Sequence, residues 1–196
     1  MPALLLTLSL LCASYVPSDP PRLSSLVCDI QRVIRFREAA WTQETCDRVA
    51  VALAETADPL LSLAIAINES DLRPTVLANT RPNVFDVGLM GVRCVRGPGG
   101  RCTNGLVKGL SLAQLQDPEM NIFVANQILL EKRQSHGPAF LRGYNVGVAN
   151  GQGYAGKISA LMSALAGTQI KVKGKRMRKL TAQILTVTQP SRGLNS

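Results

Sequence analysis

The chain has 196 residues, of which 46% are hydrophobic, and its formal net charge is +9 at pH 7. This length suffices for one globular domain with a sizeable core and is too short for two ordinary domains. His136 is the single histidine, which excludes a zinc site built from several histidines. We therefore expect one domain, residues 18–166, with a separable segment at each end.

The first segment, residues 1–17, contains an uncharged apolar run from Ala3 to Leu11 that is followed by small residues. This composition is typical of a secretory signal peptide, although no basic residue precedes the run. The run is shorter than the roughly 20 residues that span a bilayer, so we expect no transmembrane span. We interpret the protein as exported, to the periplasm or the outside of the cell. A buried N-terminal helix is the alternative.

Four cysteines remain once Cys12, which lies in this segment, is set aside. An even number of cysteines in an exported chain predicts disulfides. Four cysteines allow three connectivities, and we favour the two local closures, Cys28–Cys46 and Cys94–Cys102. Four reduced, buried thiols are the alternative if the chain is not exported.

Most of the chain has helical patterning, and long alternating strand patterns are scarce. Asp58-Pro59 and Asp117-Pro118 are typical helix starts, because Asp caps free N–H groups and Pro fits the first helical position. Residues 79–109 are rich in Gly, Pro, Asn and Arg and are expected to be irregular. The predicted helices cover about residues 23–39, 42–57, 59–73, 118–133, 140–144 and 154–166.

The positive charge is concentrated in the last third of the chain. Residues 1–131 carry 11 basic and 13 acidic side chains, whereas residues 132–196 carry 11 basic and no acidic ones. Such asymmetry favours contact with a polyanion, for example nucleic acid, anionic lipid or an anionic cell-wall polymer. We expect residues 167–196 to form a peripheral basic tail, and a merely solvated charge run is the alternative.

Glu69 follows ten uncharged residues, Pro59 to Asn68, in a helix that is nearly apolar all round. Such a helix is expected to be buried. Burial and the negative end of the helix dipole both disfavour an ionised carboxylate, so we expect the pKa of Glu69 to be raised. A carboxylic acid that stays protonated near neutral pH suits a general acid for glycosidic cleavage. A Glu that points outward from the helix end is the alternative.

Three segments resemble those of lytic transglycosylases, and they occur in the family's order. Residues 64–74, AIAINESDLRP, resemble its glutamate-serine segment, residues 86–90, DVGLM, its Gly-Leu-Met segment, and residues 143–147, GYNVG, its Tyr-Asn segment. The resemblance covers about residues 58–165. The second segment is most similar to the small specialised enzymes that open the cell wall for secretion systems and pili.

The resemblance implies a mainly α, lysozyme-like α+β fold around a glycan-binding cleft. Glu69 would protonate the glycosidic oxygen between N-acetylmuramic acid and N-acetylglucosamine, and would then accept a proton from the sugar's 6-hydroxyl as a 1,6-anhydro ring closes. This reaction needs no second catalytic carboxylate, and no metal or other cofactor is implied. For Leu89, Met90 and Tyr144, plain core packing is the alternative role. The implied cleft residues are Ser70, Asp86, Gly88, Leu89, Met90, Tyr144 and Asn145.

The sequence departs from the family at Gly91, where a Gln that contacts the sugar usually follows Met. This departure leaves open an inactive glycan-binding or assembly protein. Asp86, which could activate water, leaves open a goose-type-lysozyme-like hydrolase. A nucleic-acid-binding module ranks below both, because only 4% of the residues are aromatic. We expect the protein to be a monomer that binds peptidoglycan strands. A further expected partner is either an anionic wall polymer or a secretion or pilus apparatus.

Overall fold

The structure is a computed structural model that describes residues 19–35, 40–145, 152–168 and 173–189, apart from the side chains of Arg142, Asn145 and Gln152. The predicted signal peptide, residues 1–17, lies outside the described residues. Within the described ranges, no helix is long and apolar enough to cross a membrane.

Helices dominate the described part of the chain, as predicted, and the molecule is mainly α. Three short 3-10 turns connect them, at residues 98–100, 105–107 and 137–139. The helices are α1 (Pro20–Ile34), α2 (Gln43–Ala54), α3 (Pro59–Ser70), α4 (Leu112–Gln116), α5 (Pro118–His136), α6 (Phe140–Asn145), α7 (Gln152–Leu165) and α8 (Lys175–Thr188).

Both predicted Asp-Pro helix starts are confirmed. Asp58 Oδ1 accepts a hydrogen bond from the backbone N–H of Leu61 at 3.0 Å and so caps α3. Asp117 Oδ1 accepts one from Met120 at 2.9 Å and caps α5. In each case the carboxylate satisfies an N–H group that the first helical turn leaves without a partner.

The segment predicted to be irregular contains a small antiparallel sheet, so that prediction is wrong for residues 79–95. The strands β1 (Leu77–Arg81), β2 (Val84–Val87) and β3 (Val92–Val95) are hydrogen-bonded in the order β1-β2-β3. Each strand has only four or five residues, and every side chain of β1 is exposed. Apolar alternation, the usual sequence signal of a strand, is therefore too short to recognise.

The core is built around α3, whose residues from Leu60 to Ile67 are all buried. α7 packs against α3, and α5 contributes Ile122, Ala125 and Leu129 to the same core. Each fully buried Leu or Ile side chain contributes roughly 1.5–3 kcal/mol relative to an exposed one. The predicted burial of the helix that carries Glu69 is confirmed.

Two disulfides are present, and both have the predicted pairing. Cys28–Cys46 joins α1 to α2, and Cys94–Cys102 joins β3 to the loop that follows it. Disulfides of this kind persist in oxidising compartments, so they are compatible with an exported protein.

Residues 175–188 form α8 and pack against α1 and α7, which differs from the peripheral tail that we predicted. Met177, Leu180 and Ile184 are buried and recur at three- and four-residue spacing, so they form one apolar face. Six basic residues in the nine positions 171–179 dominate the local composition. The prediction was based on that charge run and overlooked the apolar face. Cations on the exposed side of an amphipathic helix do not prevent burial of its other side.

Candidate functional site

Glu69 lies in the last turn of α3, where the buried helix reaches the surface, and its side chain is half-buried. Asp71 ends the helix in the left-handed conformation, with φ 51°, and its N–H donates to the carbonyl of Ile67. The amide of Asn68 donates to Glu69 Oε1 at 3.2 Å. The carboxylate therefore lies at the boundary between core and solvent, as a group that meets a substrate must.

The backbone of Gly91 packs directly against the Glu69 side chain. Gly91 lies in the turn between β2 and β3 with φ 63°, a conformation that favours glycine. A Cβ atom added there would lie 2.9 Å from Glu69 Oε2 and 3.3 Å from its Cβ and Cγ. A side chain at position 91 would therefore require the Glu69 carboxylate to shift.

Two tyrosines from different helices lie near the carboxylate. The Tyr144 hydroxyl, on α6, donates to the carbonyl oxygen of Met90 at 2.9 Å. Its ring stacks on that of Tyr154 from α7, with centroids 6.4 Å apart. Burial, and then the charge of Glu69, raise the pKa of both phenols. Both tyrosines therefore stay neutral, and remain hydrogen-bond donors, throughout the physiological pH range.

Tyr154 was not among the predicted site residues. Its hydroxyl is buried and interacts with the Glu69 carboxylate, yet it makes no hydrogen bond of standard geometry within the described ranges. The contact between the Tyr154 hydroxyl and Glu69 is therefore electrostatic and is not a formed hydrogen bond. The Tyr-Asn segment predicted only Tyr144, and the second phenol is recognised only from the packing of α7 against α3.

Asp86 is bound by Arg93, a residue that the sequence did not single out. The two residues are direct partners in the β2–β3 pairing. Arg93 Nε donates to Asp86 Oδ1 at 2.9 Å, and Nη2 donates to Oδ2 at 3.1 Å. The hydrogen bond to Asp86 raises the pKa of Arg93, burial opposes this, and the charges of Asp86 and Glu69 add to the rise. Arg93 therefore interacts with both carboxylates.

Ser70, Leu89 and Met90 were predicted to line the cleft, and the structure places their side chains in the core instead. Leu89 and Met90 have no exposed surface, and Ser70 is 1% exposed. The Ser70 hydroxyl donates to the carbonyl of Ala66 and accepts from the N–H of Arg73, so it closes the end of α3. These side chains have no free surface for a glycan, and their role is to support the turn and the helix end beside Glu69.

Gly88 has a packing role in the same turn. It is buried with φ 75°, and an added Cβ would lie 2.3 Å from the Asn121 amide nitrogen. That amide donates to the carbonyls of Val87 and Leu115, while Asn121 Oδ1 accepts from the N–H of Met90. Asn121 is fully buried on α5. It thus fixes the β2–β3 turn against the core, a function that sequence reasoning missed.

The predicted site residue Asn145 ends α6, and its side chain lies outside the described residues.

A cavity of about 420 Å³ lies between α2 and α5, and it shares no lining residue with the Glu69 site. In the part of the chain that is described, no three His, Cys, Asp or Glu side chains are grouped to hold a metal ion.

Comparisons of the chain with protein-family models, with curated proteins and with solved structures find no match. A functional interpretation therefore depends on the geometry around Glu69 and on the three sequence segments. The structure brings Glu69, Gly91, Tyr144 and the Asp86–Arg93 pair together at one end of α3.

Proposed function

We propose that the protein is a lytic transglycosylase, which cleaves the β-1,4 bond between N-acetylmuramic acid and N-acetylglucosamine in peptidoglycan. The observation that carries the proposal is the setting of Glu69. The Glu69 side chain lies at the surface end of a buried helix, against the glycine backbone of the β2–β3 turn and near two neutral phenols. The lysozyme-like cleft and the roles of its residues are part of this proposal.

In the proposed reaction, Glu69 starts protonated and gives its proton to the glycosidic oxygen as the bond from C1 to that oxygen breaks. The 6-hydroxyl oxygen of the same muramic acid then bonds to C1, and its proton returns to Glu69. No water is consumed. The hydroxyl of Tyr154, which keeps its proton because its pKa is raised, is placed to donate to the ionised Glu69 carboxylate between the two steps.

The state of Asp86 favours transglycosylation over hydrolysis. A hydrolase would use Asp86 as a base that activates water, but both of its oxygens accept hydrogen bonds from Arg93. A carboxylate held in this bidentate way is less mobile, and both of its oxygens are already engaged by Arg93. Gly91 does not favour an inactive protein either, because the space that a Gln would need is occupied by Glu69 itself.

The site of action follows from the same proposal. We propose an exported monomer that acts on peptidoglycan strands at the cell wall. The exposed basic face of α8 and the residue before it would contact an anionic wall polymer, or a secretion or pilus apparatus. The side chains concerned are those of Lys173, Lys175, Arg178 and Lys179.

The test compares wild type with Glu69→Gln on purified peptidoglycan, with the released fragments identified by mass spectrometry. We expect anhydro-muropeptides, one water lighter than hydrolysis products, from wild type and none from Glu69→Gln. Glu55→Gln, which removes an exposed carboxylate at the end of α2, is the matched control and should cleave normally. Far-UV circular dichroism checks that each variant is folded.

Other outcomes would point to the two alternatives. Hydrated fragments would identify a lysozyme-type hydrolase and return attention to Asp86. Muropeptide binding without any product would indicate a glycan-binding or assembly protein. Unchanged cleavage by Glu69→Gln would remove Glu69 from the mechanism.

A further inference from the structure

Arg176, in the first turn of α8, reaches the end of α3 that carries Glu69. Its Nη2 atom donates to the backbone oxygen of Asn68 at 3.2 Å and to Asp71 Oδ1 at 2.7 Å. The last carbonyls of a helix lack partners within the helix, and a cation there is favourable because of the helix dipole. Arg176 therefore binds the residues on either side of Glu69 and Ser70 at once.

Helix α8 is itself firmly attached to the rest of the molecule. Met177, the next residue, is buried in the core. Further along the helix, the Gln183 amide donates to the carbonyl of Val33 at 2.6 Å, and the Thr188 hydroxyl donates to that of Ala164 at 2.9 Å. These contacts tie α8 to α1 and α7. The guanidinium of Arg176 is thus presented to α3 from a fixed support.

The Asp71 carboxylate, at this end of α3, interacts with basic side chains from other parts of the chain. Asp71 is 26% exposed and pairs with Arg176, while Arg35 interacts electrostatically with both Arg73 and Asp71. Arg35 and Arg176, from separate parts of the chain, thus both interact with the Asp71 carboxylate. The groups around Glu69 and its helix end are Asp71 on the cap, Asp86 on β2, Arg93 on β3, Tyr144 on α6, Tyr154 on α7, Arg176 on α8, and Arg35 and Arg73.

We infer that Arg176 is a positioning residue for Glu69. Its hydrogen bonds hold the last turn of α3, and its charge, balanced by that of Asp71, sets how readily Glu69 keeps its proton. The inference rests on the proposed role of Glu69 as acid and base. It makes α8 part of the scaffold of the site, in addition to any contact with the wall.

The first test measures the pKa of Glu69 without substrate, by a carboxyl ¹³C NMR titration of the full-length protein. The protein has 13 Asp and Glu residues, and the Glu69 signal is assigned by its loss in Glu69→Gln. Arg176→Gln should raise the pKa of Glu69, because a nearby positive charge is lost. Asp71→Asn should lower it, because Arg176 is then uncompensated. We expect shifts on the order of half a pH unit in these opposite directions, and an intermediate value in the double variant.

Arg178→Gln is the matched control, because it removes the same charge from an exposed position on the same helix. It should leave the pKa of Glu69 unchanged. Arg176→Gln should lower kcat by about tenfold or more and shift the pH profile in the same direction as the pKa. Arg176→Lys keeps the charge but not the forked donor group, and should restore the pKa more fully than kcat.

The inference is overturned if both single variants move the pKa of Glu69 in the same direction, if neither moves it, or if Arg178→Gln has the same effect as Arg176→Gln. If Arg176→Gln fails to fold, the pKa of Glu69 in Asp71→Asn and in Arg176→Lys, measured by the same titration, tests the inference instead. Failure of the proposed function would be recognised separately, because the wild type would then release no anhydro products whatever the titration shows.

Discussion

At the scale of single residues, Gly91 and Glu69 pack so closely that a Cβ atom at position 91 would lie 2.9 Å from Glu69 Oε2. The Glu69 side chain lies against a backbone turn that Asn121 holds in place, and its charge acts on the nearby hydroxyls of Tyr144 and Tyr154. Such a setting limits the positions of the carboxylate. Limited positions would suit the proposed role of Glu69 as an acid that reaches one glycosidic oxygen.

Gly91→Ala should therefore reduce cleavage of peptidoglycan by about tenfold or more, because the new Cβ displaces the carboxylate. It should also lower the free energy of unfolding by roughly 1–2 kcal/mol, since an L residue is strained at positive φ. Cleavage rates and urea unfolding measure the two effects. Gly99→Ala is the control, because Gly99 has φ 78° with nothing within 4 Å of an added Cβ. Equal loss of activity in both variants would mean that contact with Glu69 is not the cause.

The two tyrosines should respond differently to removal of their hydroxyls. Tyr144→Phe leaves the buried carbonyl of Met90 without its donor and should lower the free energy of unfolding by about 1–2 kcal/mol. Tyr154→Phe removes a buried hydroxyl that makes no standard hydrogen bond within the described ranges, and should change stability by less than about 0.5 kcal/mol. Urea unfolding of both variants tests this. An equal loss of stability would show that Tyr154 has a partner of similar strength.

At the scale of secondary-structure elements, the sheet and α8 bring distant parts of the chain to the end of α3. Pairing of β2 with β3 puts Arg93 opposite Asp86, and α8 brings Arg176 to Asp71 across 105 positions of sequence. Neither contact can be predicted from the residues that lie next to it in the sequence. Each exists because an element with a buried face is fixed in one register or one orientation by that burial.

For α8, Ile184→Ala should lower the free energy of unfolding by about 2–5 kcal/mol, because it leaves a cavity at a fully buried position. Thr186→Ala, at an exposed position of the same helix, should change it by less than about 0.5 kcal/mol. Chemical denaturation of both variants makes the comparison. If Ile184→Ala were as mild as Thr186→Ala, α8 would be a peripheral segment after all.

At the scale of the whole molecule, the phenols of Tyr144 and Tyr154 should make the protein less stable at alkaline pH. The pKa of each is raised above the ordinary value of 10.0, so the folded state keeps protons that the unfolded chain loses above about pH 10. Their contribution is complete below that pH, and the free energy of unfolding falls as pH rises further. Thermal unfolding between pH 8 and 11 should show the fall. Tyr154→Phe should make it shallower, and an unchanged slope would contradict the assignment.

Features that depend on neighbouring residues could be predicted from the chain alone. The caps at Asp58 and Asp117, the two short disulfide closures and the burial of the helix before Glu69 each follow from residues close in sequence. Their energetics are local: an Asp three positions before the N–H group that it caps, two cysteines close in sequence, and a long uncharged run whose burial the hydrophobic effect favours. The general acid candidate was found in this way.

The partners of Glu69 could not be predicted, because each contact joins elements far apart in sequence and depends on how the elements pack. Arg93 is recognised only through strand register, Asn121 only through its burial under the β2–β3 turn, and Arg176 only through the apolar face of α8. Packing also buries the side chains of Leu89 and Met90 in the core, although the sequence had predicted that they line the cleft. Side chains in one short segment point in different directions, and the tertiary structure selects which of them face solvent.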